Sequence, residues 1–128
     1  MTRKDIQPGS LPDPRPRYTH GIQAEGRLLF IAGQVAVDVE NTVVGKGDPE
    51  RQAEQVFENL KAVLTAAGAS FENLVMTTTY LTDIAYREAF NKVRVRYYGN
   101  TPPTNTLVVV KGLANADYLI EISGIAVL

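Results

Sequence analysis

Cysteine is absent from this chain of 128 residues, and His20 is its only histidine. The first absence excludes disulfides, thiol nucleophiles and thiolate metal sites, and agrees with a reducing compartment. The second excludes a multi-histidine metal centre within one chain and any histidine triad that does not use His20, a lone strand histidine whose default role is structural. An excess of one charge is also missing. Thirteen Lys and Arg against fourteen Asp and Glu leave a formal charge of -1, so there is no bulk attraction to phosphate backbones and nucleic acid is not an expected partner. No apolar run approaches the roughly 18 residues of a membrane span, and Met1 to Pro8 lacks the apolar core of a signal peptide. The default expectation is a cytoplasmic protein with no membrane partner. Nucleotide-binding loops are missing as well. Gly45-Lys46 has Glu40 where a phosphate loop needs its first glycine and Gly47 where it needs Ser or Thr, and Gly21, Gly26 and Gly33 form no dinucleotide fingerprint. Neither cofactor nor metal is expected.

What is present is enough apolar material, 45% of residues, for one compact domain that buries about two-thirds of its unfolded surface. Residues 1–17 carry Pro8, Pro12, Pro14 and Pro16 and read as an extended N-terminal arm with few ladder hydrogen bonds, packed late or on a neighbour. A single domain is expected over residues 18–128. Tyr18 to Ala24 and Leu28 to Val37 flank Glu25-Gly26-Arg27 and read as a hairpin. The continuous apolar run Leu28 to Ala32 suits a strand covered on both faces, and Gly33 permits close approach of backbone or ligand. Thr42 to Val44 is a candidate short strand.

Helical spacing of Ala53, Val56, Phe57, Leu60, Val63, Leu64 and Ala67, with Asp48 and Pro49 before them and Gly68 after, predicts a helix over about 49–67. Leu74 to Leu81 reads as a central strand. Thr82 or Asp83 can cap a second helix whose stripe is Tyr86, Ala89, Phe90, Val93 and Tyr97, ended by Gly99 before Pro102-Pro103. Asn91 lies beside that stripe, as a boundary residue or a ligand contact. The order ββαβαββ predicts an α+β fold: a mixed sheet with both helices on one face and antiparallel pairs from terminal hairpins. The other face, apolar and without a helix, implies self-association.

The β-rich final quarter contains an anomaly. In strand geometry Glu121 shares a face with Leu119, Ser123, Ile125 and Val127, where a carboxylate is costly unless paired, hydrogen-bonded or beside water. It is either a partnered structural glutamate or one lining a cleft, where it orients a water or holds a polar ligand. With thiol, multi-histidine and phosphate-loop chemistry excluded, carboxylate, amide, hydroxyl and backbone groups remain. These suit hydrolysis of an already activated electrophile, or simple ligand binding.

Tyr18-Thr19-His20-Gly21, Leu29-Phe30-Ile31-Ala32-Gly33-Gln34, Tyr80-Leu81-Thr82-Asp83, Phe90-Asn91-Lys92-Val93, Pro102-Pro103-Thr104-Asn105-Thr106 and Ile120-Glu121-Ile122 together resemble the RidA (YjgF, L-PSP) family over about residues 18–128. The resemblance implies a chorismate-mutase-like fold, a homotrimer with clefts between subunits, and hydrolysis of reactive enamines and imines to keto acids and ammonia. By position it implies Tyr18 as the cleft tyrosine, Asn91 as the helix asparagine, Gly33 and Leu107 as backbone contacts, and Glu121 as the glutamate that orients the attacking water. Asn105 departs from the pattern. It stands where deaminating members place an arginine that grips the substrate carboxylate, and Ala32 replaces a common serine. A charged hydrogen bond contributes about 1.5–3 kcal/mol, so the exchange implies roughly ten- to hundredfold weaker carboxylate capture. Two readings follow. One is a hydrolase of an imine, enamine or related small electrophile with altered preference, in which Asn105 binds a neutral carbonyl or amide. The other is a non-catalytic ligand-binding or interaction trimer that keeps the cleft. Whether Arg15, Arg17 or Arg94 of either subunit restores the missing charge is a question for the structure.

Overall fold

Asp48 has extended backbone, and its side chain accepts a hydrogen bond from the Arg51 amide at 3.1 Å. Pro49 follows in the first turn, where no amide donor is needed. The helix so started, α1, spans Pro49–Ala66 and is terminated near Gly68, whose φ of +74° favours glycine. The computed structural model describes residues 1–128. The second helix, α2 (Arg87–Tyr98), is entered through a single 3-10 turn at Ile84–Tyr86, where the Asp83 carboxylate accepts from the Ala85 amide at 2.8 Å.

The strands are β1 (Thr2–Ile6), β2 (Gly21–Glu25), β3 (Leu28–Gln34), β4 (Leu74–Leu81), β5 (Thr104–Val109) and β6 (Ile120–Val127). From residue 18 onward the order is ββαβαββ, as predicted, and β1 precedes it. Four strands form a mixed sheet ordered β3-β6-β4-β5, in which β6 runs antiparallel to both neighbours and β4 and β5 are parallel across α2. Both helices pack on one face. Alternation along β4 places Leu74, Thr77, Thr79 and Leu81 under them, joined by Ile120, Ile122 and Ala126 of β6 and by Val56, Phe57, Leu60, Phe90 and Val93 of the helices. Phe57 stacks on Tyr97 with ring centroids 5.0 Å apart and ties α1 to α2.

Several expectations are corrected. Residues 1–17 are not a ladder-poor arm: β1 pairs with β2 over five residues, and the Arg3 guanidinium donates to the carbonyls of Glu72 and Pro102. The prolines lie after the strand, where they cost it no donors. Second, β2 and β3 do not pair with each other; β2 pairs with β1 in a separate two-stranded ribbon and β3 pairs with β6. Gly26, at φ +148°, passes so close to Val127 and Leu128 that no side chain fits there. Nor do β5 and β6 form a hairpin, because β6 inserts between β3 and β4 and satisfies two ladders at once. Thr42 to Val44 contributes one bridge, Val37 to Val43, rather than a strand.

The sheet face away from the helices is uncovered within the chain. Leu28 and Phe30 are 61% and 71% exposed, so the apolar run of β3 is covered on one side only. Met76 and Val108 extend the exposed apolar surface.

Candidate functional site

On the helix face, β5 brings Asn105 level with Thr77 of β4. The Thr79 hydroxyl donates to Asn105 Oδ1 at 2.8 Å, and the Thr77 hydroxyl lies 3.0 Å from the same oxygen. With its acceptor engaged on the buried threonines, the amide turns its NH2 group outward. Tyr18 reaches the same place because the next residue is fastened: the Thr19 amide donates to Pro103 O at 3.0 Å and its hydroxyl to Pro102 O at 2.6 Å. Tyr18, Asn105 and Leu107 thus line one cavity of about 470 Å³, together with Ile84, Arg17, Arg87 and Arg94. A larger depression of about 610 Å³ runs along the β1–β2 ribbon, away from every residue singled out in the sequence.

Arg94 is the anomaly of this cavity. It projects from the buried side of α2, is 5% exposed, and lies with its guanidinium carbon 4.4 Å from the centroid of the Phe90 ring. Nη2 donates to Asn91 Oδ1 at 2.5 Å, while Nε and Nη1 are buried without a partner. Burial pulls its pKa down to about 10, helped by repulsion from Arg17 and Arg87, and it stays cationic at neutral pH. None of the three arginines enters an ion pair within the chain.

Glu121 lies on the opposite face. It pairs across the ladder with Tyr80, which alternates with buried Thr79 and Leu81 and so points away from the helices. The pairing of β3 with β6 shifts between Ile31 and Gln34, and this irregularity places Gly33 against Glu121. A Cβ built on Gly33 would lie 2.7 Å from the Glu121 carboxyl carbon and 2.9 Å from Cγ, so glycine makes room for the carboxylate. Glu121 is half-buried and forms no ion pair within the chain. No group of three or more His, Asp or Glu side chains is placed to hold a metal ion.

This geometry sits on a recognised backbone. The family model described as Endoribonuclease L-PSP matches residues 9–128. The chain belongs to this family, the Rid or YjgF/L-PSP family. A RutC family protein of Synechocystis is 42% identical over the whole chain and 98% of its own length. The conserved Rid family protein YyfB of Yersinia pestis superposes with a TM-score of 0.91 at 36% identity, with full coverage of both chains. RidA of an Antarctic Psychrobacter superposes at 0.74 and 30% identity, over 98% of this chain and 99% of its own.

Within the Rid fold, the residues expected from sequence fall into two groups on opposite faces of the sheet. Tyr18, Asn105 and Leu107 share the arginine-lined cavity, whereas Gly33 and Glu121 share the far face of the sheet. Asn91 does not line this cavity; it lines a separate depression with Glu50 and Lys92, and its Oδ1 accepts from Arg94 Nη2. Of the arginines considered from sequence, Arg17 and Arg94 reach the cavity, and Arg15 is engaged with Asp13 at 2.5 Å. Arg87 and Ile84 were not anticipated. Arg94 had a legible signal, since it falls four residues after Phe90 on the buried stripe, where a charge is as anomalous as Glu121 is in β6.

Proposed function

We propose that this Rid protein is a hydrolase of a reactive imine, enamine or related small electrophile, assembled as a homotrimer and working in the cytoplasm. The observation that carries the reading is the division of the site between two faces of one sheet. The Asn105 cavity lies under α2 and the Glu121 carboxylate lies above Gly33, so a ligand that touches both must be held between two copies of the chain. The uncovered apolar face, with Phe30, Leu28 and Met76 exposed, supplies the surface for that association. Burying it removes water from Glu121's surroundings and strengthens its interaction with a single retained water.

In the proposed reaction Glu121 orients a water and takes up one of its protons as the oxygen attacks the imine carbon. Glu121 passes that proton to the imine nitrogen, which gives a carbinolamine and restores the carboxylate. Transfer of the hydroxyl proton to nitrogen then breaks the carbon–nitrogen bond and releases ammonia and a carbonyl product. Tyr18, the Asn105 amide, and the backbone at Gly33 and Leu107 bind the substrate. An endoribonuclease reading has less support, because the chain has neither a histidine pair nor an excess of positive charge.

The test is a coupled assay in which an imine such as 2-iminobutyrate is generated enzymatically and trapped with semicarbazide. Wild type is expected to lower the semicarbazone yield and Glu121→Gln to abolish the effect. If wild type accelerates the decay of no imine tried, the protein is a ligand-binding trimer that keeps the cleft without the chemistry.

A further inference from the structure

Three guanidiniums meet at the cavity beside Asn105, and no carboxylate meets any of them. Arg17 comes from the segment before β2, and Arg87 and Arg94 come from α2. All five ion pairs of the chain use other cations. Arg17 and Arg87 are exposed, so water accounts for them singly. Arg94 is different. Its side chain is almost fully buried, its Nε and Nη1 have no acceptor, and its one bond goes to a neutral amide oxygen. A buried charge is ordinarily paired, because an unpaired one is costly in a medium of low polarity. Loss of the proton offers no escape for arginine, and the Phe90 ring beneath it compensates only in part. Two further cations at the rim raise the cost, since they repel it.

We infer that this cavity is a receptor for a small dianionic oxyanion, a dicarboxylate or a phosphate-bearing molecule, with Arg94 as the buried counter-charge and Arg17 and Arg87 at its mouth. The inference rests on the proposed reading of this cavity as the ligand cleft, but not on imine hydrolysis. Arg94 calls for one negative charge, and the two cations at the rim, in a lining with no acidic group, favour a second. Asn105 and Tyr18 add neutral donors, and the planar guanidinium forks match carboxylate and phosphate oxygens. At about 470 Å³ the cavity suits a small molecule. The cation absent from position 105 on the sheet is thereby supplied from the helix opposite, and Asn91 acts as the residue that positions it.

Calorimetric titration of the assembled protein with succinate, inorganic phosphate and butyrate tests this. Succinate or phosphate is expected to bind, weakening as salt rises, with butyrate at least about tenfold weaker; which of the two dianions wins separates the two ligand sources. Arg94→Met should weaken dianion binding about ten- to hundredfold while the unliganded melting temperature holds or rises, and Arg94→Lys should fall between. Arg17→Gln and Arg87→Gln alter exposed positions, so a severalfold loss of binding at unchanged melting temperature is expected of each. These two variants decide the matter should Arg94→Met fail to fold. The inference is overturned if neither dianion binds the wild type, if the arginine variants bind as the wild type does, or if butyrate equals succinate. Imine hydrolysis without dianion binding would remove this inference and leave the proposed function. Dianion binding without hydrolysis would do the reverse.

Discussion

The Glu121 carboxyl group occupies the space that a side chain on Gly33 would need. The contact is between the end of a flexible side chain and a position whose backbone is not in the left-handed region. Gly33→Ala should therefore displace the carboxylate at a stability cost under about 1 kcal/mol. If Glu121 positions the attacking water, hydrolysis should fall at least about tenfold, since a misplacement near 1 Å is enough for that. The double variant Gly33→Ala/Glu121→Ala should be no slower than Glu121→Ala alone. Additive losses in a kinetic double-mutant cycle would show that the glycine acts elsewhere.

Arg94 changes what a substitution at position 105 should do. Asn105→Arg places a second guanidinium against a buried one and removes the acceptor that Thr79 uses. Like-charge repulsion on the order of 1–3 kcal/mol is expected, read as a drop in denaturant midpoint. Combining it with Arg94→Met should recover most of that loss. Equal midpoints for Asn105→Arg with and without Arg94 would mean that the two positions are not coupled.

Assembly is testable at Phe30, which is 71% exposed opposite Ile125 in the register and beside a shallow groove that includes Met76 and Ser123. Wild type should sediment as a trimer. Phe30→Glu buries a charge in the proposed interface and should yield a monomer that keeps its helical circular dichroism and loses hydrolysis. A monomeric wild type would remove the trimer reading altogether.

Alkaline pH should reveal the packing between the helices. Burial, with a hydrogen bond to the Glu58 carboxylate at 2.7 Å, pushes the Tyr97 phenol up to about 12 from an ordinary value near 10. Burial also raises Tyr98. The folded state holds these protons more tightly than the unfolded state does. The associated stability is therefore fully present below about pH 10 and is lost as pH rises through 12. Denaturant midpoints followed from pH 9 to 12 should decline, and the decline should be shallower in Tyr97→Phe. An identical slope in that variant would assign the loss to Tyr98 or to other groups.

The order of elements from residue 18, α1 with its Asp48 cap, and β4 to the residue were legible in the sequence, because periodicity and capping chemistry act over a few neighbouring residues. The expected Asp83 cap instead serves the 3-10 turn, and α2 begins at Arg87 with no side-chain cap. The sequence by itself also marked Glu121, since strand alternation is enough to place a carboxylate on an apolar face. Strand partners were not legible. That β6 enters between β3 and β4, and that β1 rather than β3 completes β2, depends on contacts between residues far apart in the chain, for which local pattern carries no signal. The same separation hid the arrangement of the site. Asn105 and Glu121 looked like members of one constellation, and only the register showed that the sheet lies between them. The missing cation was likewise a tertiary matter: position 105 lacks it in sequence, and α2 crossing over β5 brings Arg94 to the same cavity.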